Sequence, residues 1–238
     1  MRRILVTRPE PGASDTARRL EAAGFEPVKL PLTRIEAIVP ERIPDPSDYD
    51  VVAVTSANAL HHAGTALIGS MAGRRCYAVG TRTAEAASRA GLAVQVAGHG
   101  DAETLAKAIV TAEPGGRIAY LCGRVRRDSF ERILGENGLR VEAIETYDTL
   151  PVDYPSEALS VATDGNPIWG ALVYSVAGAL GLRELVAAHK ADPVFARMRF
   201  FCISRRVADA LARNGQGPVH IAERPAEEAM LRLLTSVD

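Results

Sequence analysis

The chain has 238 residues, of which 47% are hydrophobic and 24% are charged, and its formal net charge is −1 at pH 7. The length allows one large domain or two small ones, and the near-neutral charge excludes a nucleic-acid protein that works by bulk electrostatics. No apolar run approaches the ~18 residues of a membrane span, so we expect no membrane partner. The three cysteines lack C-x-x-C spacing and lie in apolar runs, which predicts buried, reduced thiols in a cytoplasmic protein.

A strand–turn–helix–strand pattern recurs four times along the chain. Its first strands are Ile4–Thr7, Cys76–Val79, Ile118–Leu121 and Phe200–Ile203, and its second strands begin at Glu26, Ala93, Arg140 and Val219. Each helix ends before a glycine, at Gly24, Gly91, Gly138 and Gly215, as expected where the chain needs a positive φ. Units of this length predict right-handed crossovers between parallel strands.

Further elements complete the predicted α/β pattern. They are strands at Val51–Thr55 and Ile168–Tyr174, a helix from near Asn58, a helix Ala102–Ala112 capped by Asp101, a helix Ala177–Ala188, and a last helix begun by Pro225. The total is nine or ten strands and eight or nine helices. One doubly wound sheet would be too large for this length, so we predict two five-stranded sheets.

Two extended segments, Lys29–Ile38 and Glu142–Leu150, are longer than core strands require. We expect them to run side by side between two domains. The predicted fold is therefore α/β, with two doubly wound, flavodoxin-like parallel-sheet domains joined by a two-stranded β ribbon. The first domain is discontinuous, residues 1–32 plus 152–238, and the second spans residues 33–151.

The segment Arg117–Pro151 carries the most chemical information. A glycine and arginines, among them Gly123 and Arg124, follow an apolar strand, and Tyr147 lies on the next strand. Cationic side chains and free backbone N–H groups at the carboxyl end of a strand favour an anionic ligand, either a polycarboxylate or a phosphate. Tyr147 adds one titratable hydroxyl nearby.

Motifs for nucleotides and metals are missing from the sequence. No G-x-G-x-x-G follows a strand and there is no Walker A lysine, which disfavours a nucleotide-dependent enzyme. The five histidines show no metal-ligand spacing. We therefore expect neither a cofactor nor a metal.

Taken together, the pieces ILVTRPEPGA, GFEPVKLPLTRIE, VVAVTSANAL, AVGTRTAEA, GDAETLAKAI, CGRVRRDSFERIL, IETYDTLP, VYSVAGA and CISRRVADALARNG occur in the order typical of the uroporphyrinogen-III synthases, and the chain resembles that family. The resemblance implies a cofactor-independent lyase whose substrate is the linear tetrapyrrole hydroxymethylbilane, with eight carboxylates. Such an enzyme removes the terminal hydroxyl and closes the ring while inverting the last pyrrole. The implied route passes through an azafulvene and a spiro-pyrrolenine.

The resemblance also assigns residues. Tyr147 in IETYDTLP matches the catalytic tyrosine of the family, and its alternative role is a cross-strand aromatic on the ribbon. The expected substrate-binding residues are Arg8, Ser56, Thr83, Arg124, Ser175 and Ser204. The two serines that follow apolar strands, Ser56 and Ser175, could instead only cap helices, Thr83 could be an ordinary first-turn residue, and the arginines could be solvated. Arg126 and Arg127 are expected on the surface of the following helix.

One turn departs from a common form of the family. Ser204, Arg205 and Arg206 replace a Gly-Pro-hydroxyl-Thr run, which puts a threonine-based contact there in doubt, and Ser204 with Arg205 could serve instead. We expect a monomer with a small-molecule substrate and transient contact with the preceding enzyme of the pathway. The alternative is a non-catalytic, synthase-like module that binds tetrapyrroles or regulates, and analysis of the product from hydroxymethylbilane would separate the two.

Overall fold

The computed structural model describes residues 1–98, 101–211 and 217–237, in which strands and helices alternate. The strands are β1 (Arg3–Val6), β2 (Glu26–Lys29), β3 (Thr33–Ala37), β4 (Val51–Val54), β5 (Arg75–Val79), β6 (Ala93–Gly98), β7 (Arg117–Gly123), β8 (Arg140–Pro151), β9 (Gly170–Val173), β10 (Arg199–Cys202) and β11 (Val219–Ile221). The helices are α1 (Gly12–Ala22), α2 (Ala57–His61), α3 (Gly64–Ser70), α4 (Gly80–Arg89), α5 (Ala102–Ala112), α6 (Ser129–Glu136), α7 (Ser156–Thr163), α8 (Val176–Ala188), α9 (Arg205–Leu211) and α10 (Glu227–Ser236).

The chain divides into two compact units. The first unit combines Met1–Ile35 with Leu150–Asp238, and the second unit is Glu36–Thr149. The first unit is thus built from both ends of the chain, and the second from the continuous stretch between them.

The sheet of the first unit has the strand order β11-β10-β9-β1-β2, and all its neighbouring strands pair in parallel. Numbered within the unit, this is the flavodoxin-type order 2-1-3-4-5. The chain changes direction across the sheet between β1 and β9, so this is the topological switch point of the unit.

The sheet of the second unit has the order β3-β8-β7-β4-β5-β6, and β4 to β8 pair in parallel. When its five parallel strands are numbered in chain order from β4 to β8, they follow the order 3-2-1-4-5. This is a second doubly wound arrangement, and its switch point lies between β4 and β7. We predicted five strands, but this sheet has six, because β3 continues it beside β8.

The first unit buries both faces of its sheet. On β1, Leu5 faces a core formed with α7, α8 and α9, whereas Ile4 and Val6 face the opposite core, formed with α1 and α10. Successive residues of a strand point to opposite faces, so a strand covered on both sides needs a continuous apolar run. The sequence Arg3–Val6 meets this requirement, because Ile4, Leu5 and Val6 are all fully buried.

The second unit is layered in the same way. Val52 and Val54 of β4 face α2, α3 and α4, and Val51 and Ala53 face α5 and α6. The four residues of β4 are fully buried, as the all-apolar sequence VVAV predicts. The alternation of strands and helices therefore produces a three-layer unit with helices on both faces of the sheet.

Strands β3 and β8 form the predicted two-stranded ribbon. The N–H of Val152 donates to the carbonyl of Leu32 (3.0 Å), and the N–H of Ile38 donates to the carbonyl of Thr146 (2.9 Å). The residue numbers rise along one strand while those of their partners on the other strand fall, so the pair is antiparallel. The chain passes from one unit to the other twice, after Ile35 and after Thr149. The first position lies in β3 and the second in β8.

Local signals located several elements well. The predicted helix-terminal glycines at 24, 91 and 138 have positive φ, and Asp101 caps α5 by accepting from the N–H of Thr104 (2.9 Å). The prediction for Gly215 falls outside the described residues. The last helix begins at Glu227 rather than at Pro225.

The structure also bears on the cysteines and on possible membrane-spanning helices. All three cysteines, Cys76, Cys122 and Cys202, are free thiols and buried, which confirms the prediction made from their apolar surroundings. Within the described residues, every helix is too short or too polar to cross a membrane.

Candidate functional site

The predicted site residues cluster at the carboxyl ends of parallel strands. In the first unit, Arg8 follows β1 and Ser175 follows β9, on the two sides of the switch point. In the second unit, Ser56 follows β4 and Arg124 follows β7, again on the two sides of the switch point. Open α/β sheets bind their ligands at this edge, so each unit presents a candidate binding edge.

The other three residues extend these two edges. Ser204 follows β10, which lies beside β9, and Thr83 lies in the first turn of α4, after β5. Tyr147 lies within β8, which neighbours β7. Thr83 is buried, while the other six are half-buried or exposed.

Tyr147 rests directly on a glycine of the adjacent strand. A Cβ atom placed on Gly123 would lie 2.6 Å from Cζ of Tyr147 and 2.9 Å from its hydroxyl oxygen. The two residues are register partners next to a bulge between Cys122 and Gly123. Gly123 is therefore required for close approach, because any larger residue would displace the tyrosine ring.

The hydroxyl of Tyr147 interacts with the side chain of Ser56. Ser56 is the N-cap of α2, and its Oγ accepts from the N–H of Asn58 (3.3 Å). Burial raises the pKa of Tyr147 above its ordinary value of 10.0, and the nearby Ser56 side chain opposes part of that rise. The phenol therefore keeps its proton at neutral pH and can act as a proton donor.

His62, which follows α2, lies close to the same ring. The ring centroids of His62 and Tyr147 are 6.2 Å apart and the rings are tilted by 42°. Burial, and then the neighbouring His61, lower the pKa of His62. The imidazole is therefore neutral at physiological pH, and the surroundings of Tyr147 gain no positive charge from it.

Thr146 fixes the strand that carries the tyrosine, a role that the sequence did not indicate. It is fully buried, and its hydroxyl donates to the carbonyl of Ala59 in α2 (2.8 Å) and lies 3.4 Å from the carbonyl of Cys122 in β7. These bonds tie β8 to the helix that Ser56 caps. Thr146 thereby holds β8, which carries Tyr147, against α2, which Ser56 caps.

Arg124 is exposed but has two acidic neighbours on β8. Its Nε donates to Glu145 (3.0 Å) and its Nη1 to Asp148 (3.3 Å). Its backbone N–H donates to the carbonyl of Tyr147 (2.9 Å). A ligand carboxylate would have to share or replace these exposed ion pairs, each of which is worth little in water.

Arg126 differs from the expectation of a surface residue on a helix. It precedes α6, its side chain is 23% exposed, and it makes ion pairs with Glu131 and Glu145, both at 3.0 Å. It also donates to the carbonyl of Gly123 (3.1 Å). A guanidinium has five donors in a fixed fork, so it can bind several acceptors at once. Arg126 uses them to hold the loop after β7 in place.

Arg8 lies in a cluster of the first unit. Its Cζ atom is 4.5 Å from the centroid of the Tyr174 ring, and its Nη1 is 3.8 Å from Oε1 of Glu227. Glu227 is the first residue of α10, so this contact joins the two ends of the chain. Tyr174 directly follows β9, and a search for polar residues at strand ends could have found it, whereas Glu227 has no comparable local signal.

The two serines of the first unit occupy helix starts. Ser175 caps α8, and its Oγ accepts from the N–H of Gly178 (3.0 Å). The backbone carbonyl of Ser204 accepts from the N–H groups of Val207 and Ala208 at the start of α9, both at 3.1 Å. The capping role of Ser175, the alternative that the sequence left open, is present, and a capping hydroxyl can still donate its proton to a ligand.

Side chains that could bind a metal ion are not grouped together in the part of the chain that the structure describes. No group of three or more His, Cys, Asp or Glu side chains is arranged there to hold a metal ion.

Comparison with known proteins adds an independent line of evidence. A family model described as uroporphyrinogen-III synthase HemD matches residues 14–232. Among solved structures, the chain is similar to the uroporphyrinogen-III synthetase of Helicobacter pylori, with a TM-score of 0.68, 18% identity and 100% of both chains covered. It is also similar to a mutant uroporphyrinogen III synthase of the extremely thermophilic bacterium Thermus thermophilus, with a TM-score of 0.58, 22% identity and 100% of both chains covered. At these identities the solved structures support the fold, and the family model supports the family.

Proposed function

The chain belongs to the uroporphyrinogen-III synthase family, and from this premise we propose that it converts hydroxymethylbilane into uroporphyrinogen III. The reaction removes the terminal hydroxyl as water and closes the ring with inversion of the last pyrrole. Members of the family are cofactor-independent lyases of tetrapyrrole biosynthesis, so the protein itself supplies the chemistry. The observation that carries the proposal is the protonated Tyr147, held over Gly123 and beside Ser56 at a carboxyl edge.

In this proposal, Tyr147 donates its proton to the departing hydroxyl of the substrate. A phenol with a raised pKa is a proton donor throughout the neutral range, and a positioned donor contributes roughly 10²- to 10⁴-fold to rate. The neutral His62 nearby adds no charge that would oppose a cationic azafulvene.

Both edges are proposed to bind substrate carboxylates. Arg8 and Arg124 supply guanidinium groups, which suit carboxylates in a two-pronged contact. Ser56, Thr83, Ser175 and Ser204 lie at helix starts or first turns, where N–H groups and the helix dipole favour anions. Many modest contacts of this kind suit a substrate with eight carboxylates, so no single one has to dominate.

The main task of the enzyme is to select one ring closure. Pyrrole is a reactive nucleophile, and the linear substrate can close without enzyme to the unrearranged isomer. The protein therefore has to hold the chain so that the substituted carbon of the last ring attacks, which is catalysis by proximity and orientation. It also has to keep water from the cationic intermediate.

Assembly and location are part of the proposal. We propose a cytoplasmic monomer with two domains, residues 1–32 plus 152–238 and residues 33–151, that receives its substrate by transient contact with the preceding enzyme. The three free, buried cysteines support a reducing compartment. The molar mass in solution, with and without that enzyme, tests the assembly.

Isomer analysis tests the function. Hydroxymethylbilane is generated in situ, the purified protein is added, and the oxidised porphyrins are separated by chromatography. We expect isomer III to replace isomer I in proportion to the amount of protein. A product that stays isomer I at every protein concentration would overturn the proposal and favour a non-catalytic module.

A further inference from the structure

Arg8 has two close neighbours at the carboxyl edge of the first unit. Its Cζ is 4.5 Å from the ring centroid of Tyr174. The second neighbour is Gly12, the first residue of α1: a Cβ atom built there would lie 2.5 Å from Nε, 2.8 Å from Cζ and 3.0 Å from Nη2 of Arg8. The guanidinium group therefore fills the space that a side chain at position 12 would occupy.

The carboxylate beside this guanidinium is held mainly by other groups. Oε1 of Glu227 accepts from the hydroxyls of Thr16 and of Tyr174, and Oε2 lies 3.3 Å from Nη1 of Arg19. Burial raises the pKa of Tyr174 to about 12, so its hydroxyl keeps the proton that it donates. The side chain of Glu227 is only 14% exposed, so the carboxylate stays fixed on α1 and Tyr174.

Arg8 is oriented by this carboxylate but is not hydrogen-bonded to it. The distance from Nη1 of Arg8 to Oε1 of Glu227 is 3.8 Å, longer than a hydrogen bond. The Arg8 side chain is 23% exposed, so it is accessible to solvent in part. A guanidinium has five donors, and one that is held in place at this edge can present two parallel N–H groups to a planar carboxylate.

We propose that Gly12, Tyr174 and Glu227 are positioning residues that hold the Arg8 guanidinium for a carboxylate of the linear tetrapyrrole. This inference rests on the proposed function and deepens it, because it states how one anion contact of that site is set. Gly12 supplies the space, Tyr174 the stacking surface and Glu227 the orientation. None of the three touches the reacting atoms.

Gly12→Ala is the decisive variant, because a methyl group there must displace Arg8. The matched control is Gly135→Ala in α6: Gly135 is also helical, and a Cβ there would meet nothing within 4 Å. We expect Gly12→Ala to raise KM for hydroxymethylbilane about 10-fold, the loss of roughly one charge-assisted hydrogen bond, with kcat little changed. Gly135→Ala should behave like the parent protein.

Coupling to Arg8 separates positioning from a general structural effect. Arg8→Gln alone should raise KM by a similar factor. The double variant Arg8→Gln with Gly12→Ala should have a KM no higher than that of Arg8→Gln, because both changes remove the same contact with the substrate. Glu227→Gln should also raise KM, and it keeps the test open if Gly12→Ala does not fold. Additive effects of the double variant, or an unchanged KM in Gly12→Ala and Glu227→Gln, would overturn the inference.

The failure of the inference can be told from failure of the proposed function. If the parent protein forms no isomer III, the function fails. If the parent forms isomer III but both positioning variants keep its KM, only the positioning role fails. Equilibrium binding of uroporphyrin III, followed by fluorescence, provides a second readout that does not require turnover, and we expect Gly12→Ala to weaken it about 10-fold while Gly135→Ala does not.

Discussion

At the scale of single residues, the surroundings of Tyr147 depend on two small neighbours. Gly123 leaves room for the ring, and Ser56 interacts with the hydroxyl while capping α2. The ring therefore has a defined position while the phenol stays protonated. Arg8 shows the same principle in the first unit, where Gly12 leaves room for a functional group from a neighbouring segment.

Tyr147→Phe tests the proton donor. The change removes one hydroxyl and keeps the ring, so the fold should survive, whereas the rate of isomer III formation should fall by roughly 10²- to 10⁴-fold. The measurement is the initial rate with hydroxymethylbilane generated in situ, together with the melting temperature of both proteins. Because burial raises the pKa of Tyr147, ionisation of the phenol should not reduce the rate of the parent protein below about pH 10. Near-parental turnover in Tyr147→Phe would show that the residue is structural.

At the scale of elements, β8 carries the most information. Its residues pair with β7, extend into the ribbon with β3, bond to α2 through Thr146, and hold the loop after β7 through Glu145. A strand fixed at so many points positions its side chains accurately, which is what a proton donor requires. The sequence signalled its length but not these bonds.

Thr146→Val should destabilise the second unit by about 1–3 kcal/mol, because it keeps the shape but leaves the Ala59 carbonyl without its buried hydroxyl donor. The control is Thr163→Val, which also removes a fully buried hydroxyl, but one bonded to Leu159 within a helix turn, where the carbonyl has an intrahelical partner. Denaturant unfolding measures both. Equal losses in the two variants would contradict a special role for Thr146.

The pH dependence of stability tests the ion pairs around Glu145. The hydrogen bonds from Arg124 and then Arg126 hold the pKa of Glu145 below its ordinary value of 4.5. A carboxyl whose pKa is lower in the folded state contributes stability that is fully present above the unfolded pKa and lost as pH falls through the folded one. Glu145→Gln should therefore lower the unfolding free energy at about pH 6 to 7, and the difference from the parent should shrink below about pH 4.5. A difference that stays constant from about pH 7 to about pH 3 would exclude this pairing.

At the scale of the whole molecule, each unit has its own sheet with a core on each face. The first unit closes only when the two ends of the chain meet, as β1 pairs with β9 and α10 packs on the same core as α1. The second unit is formed from one continuous stretch. We therefore expect the loss of a core contact to lower local stability mainly in the unit that contains the contact.

Leu5→Ala and Leu121→Ala form a matched pair that tests this view. Both leucines are fully buried in central strands, Leu5 in the first unit and Leu121 in the second. Each truncation should cost about 2–5 kcal/mol. In native-state hydrogen exchange, Leu5→Ala should reduce protection mainly in β1, β2 and β9, and Leu121→Ala mainly in β4, β7 and β8. Equal loss of protection in both units from either variant would contradict the expectation.

The sequence by itself determined the α/β class, most strand–helix alternations, the buried thiols and the family. These follow from local periodicity, terminal glycines and the order of short motifs, all of which act over a few residues. Only the tertiary structure decided the strand orders, the sixth strand of the second sheet, the buried bonds of Thr146, and the contacts of Arg8 with Gly12 and Glu227. These depend on segments far apart in the chain, and their pairing is set by packing and by the need to satisfy buried polar groups, which no local pattern encodes.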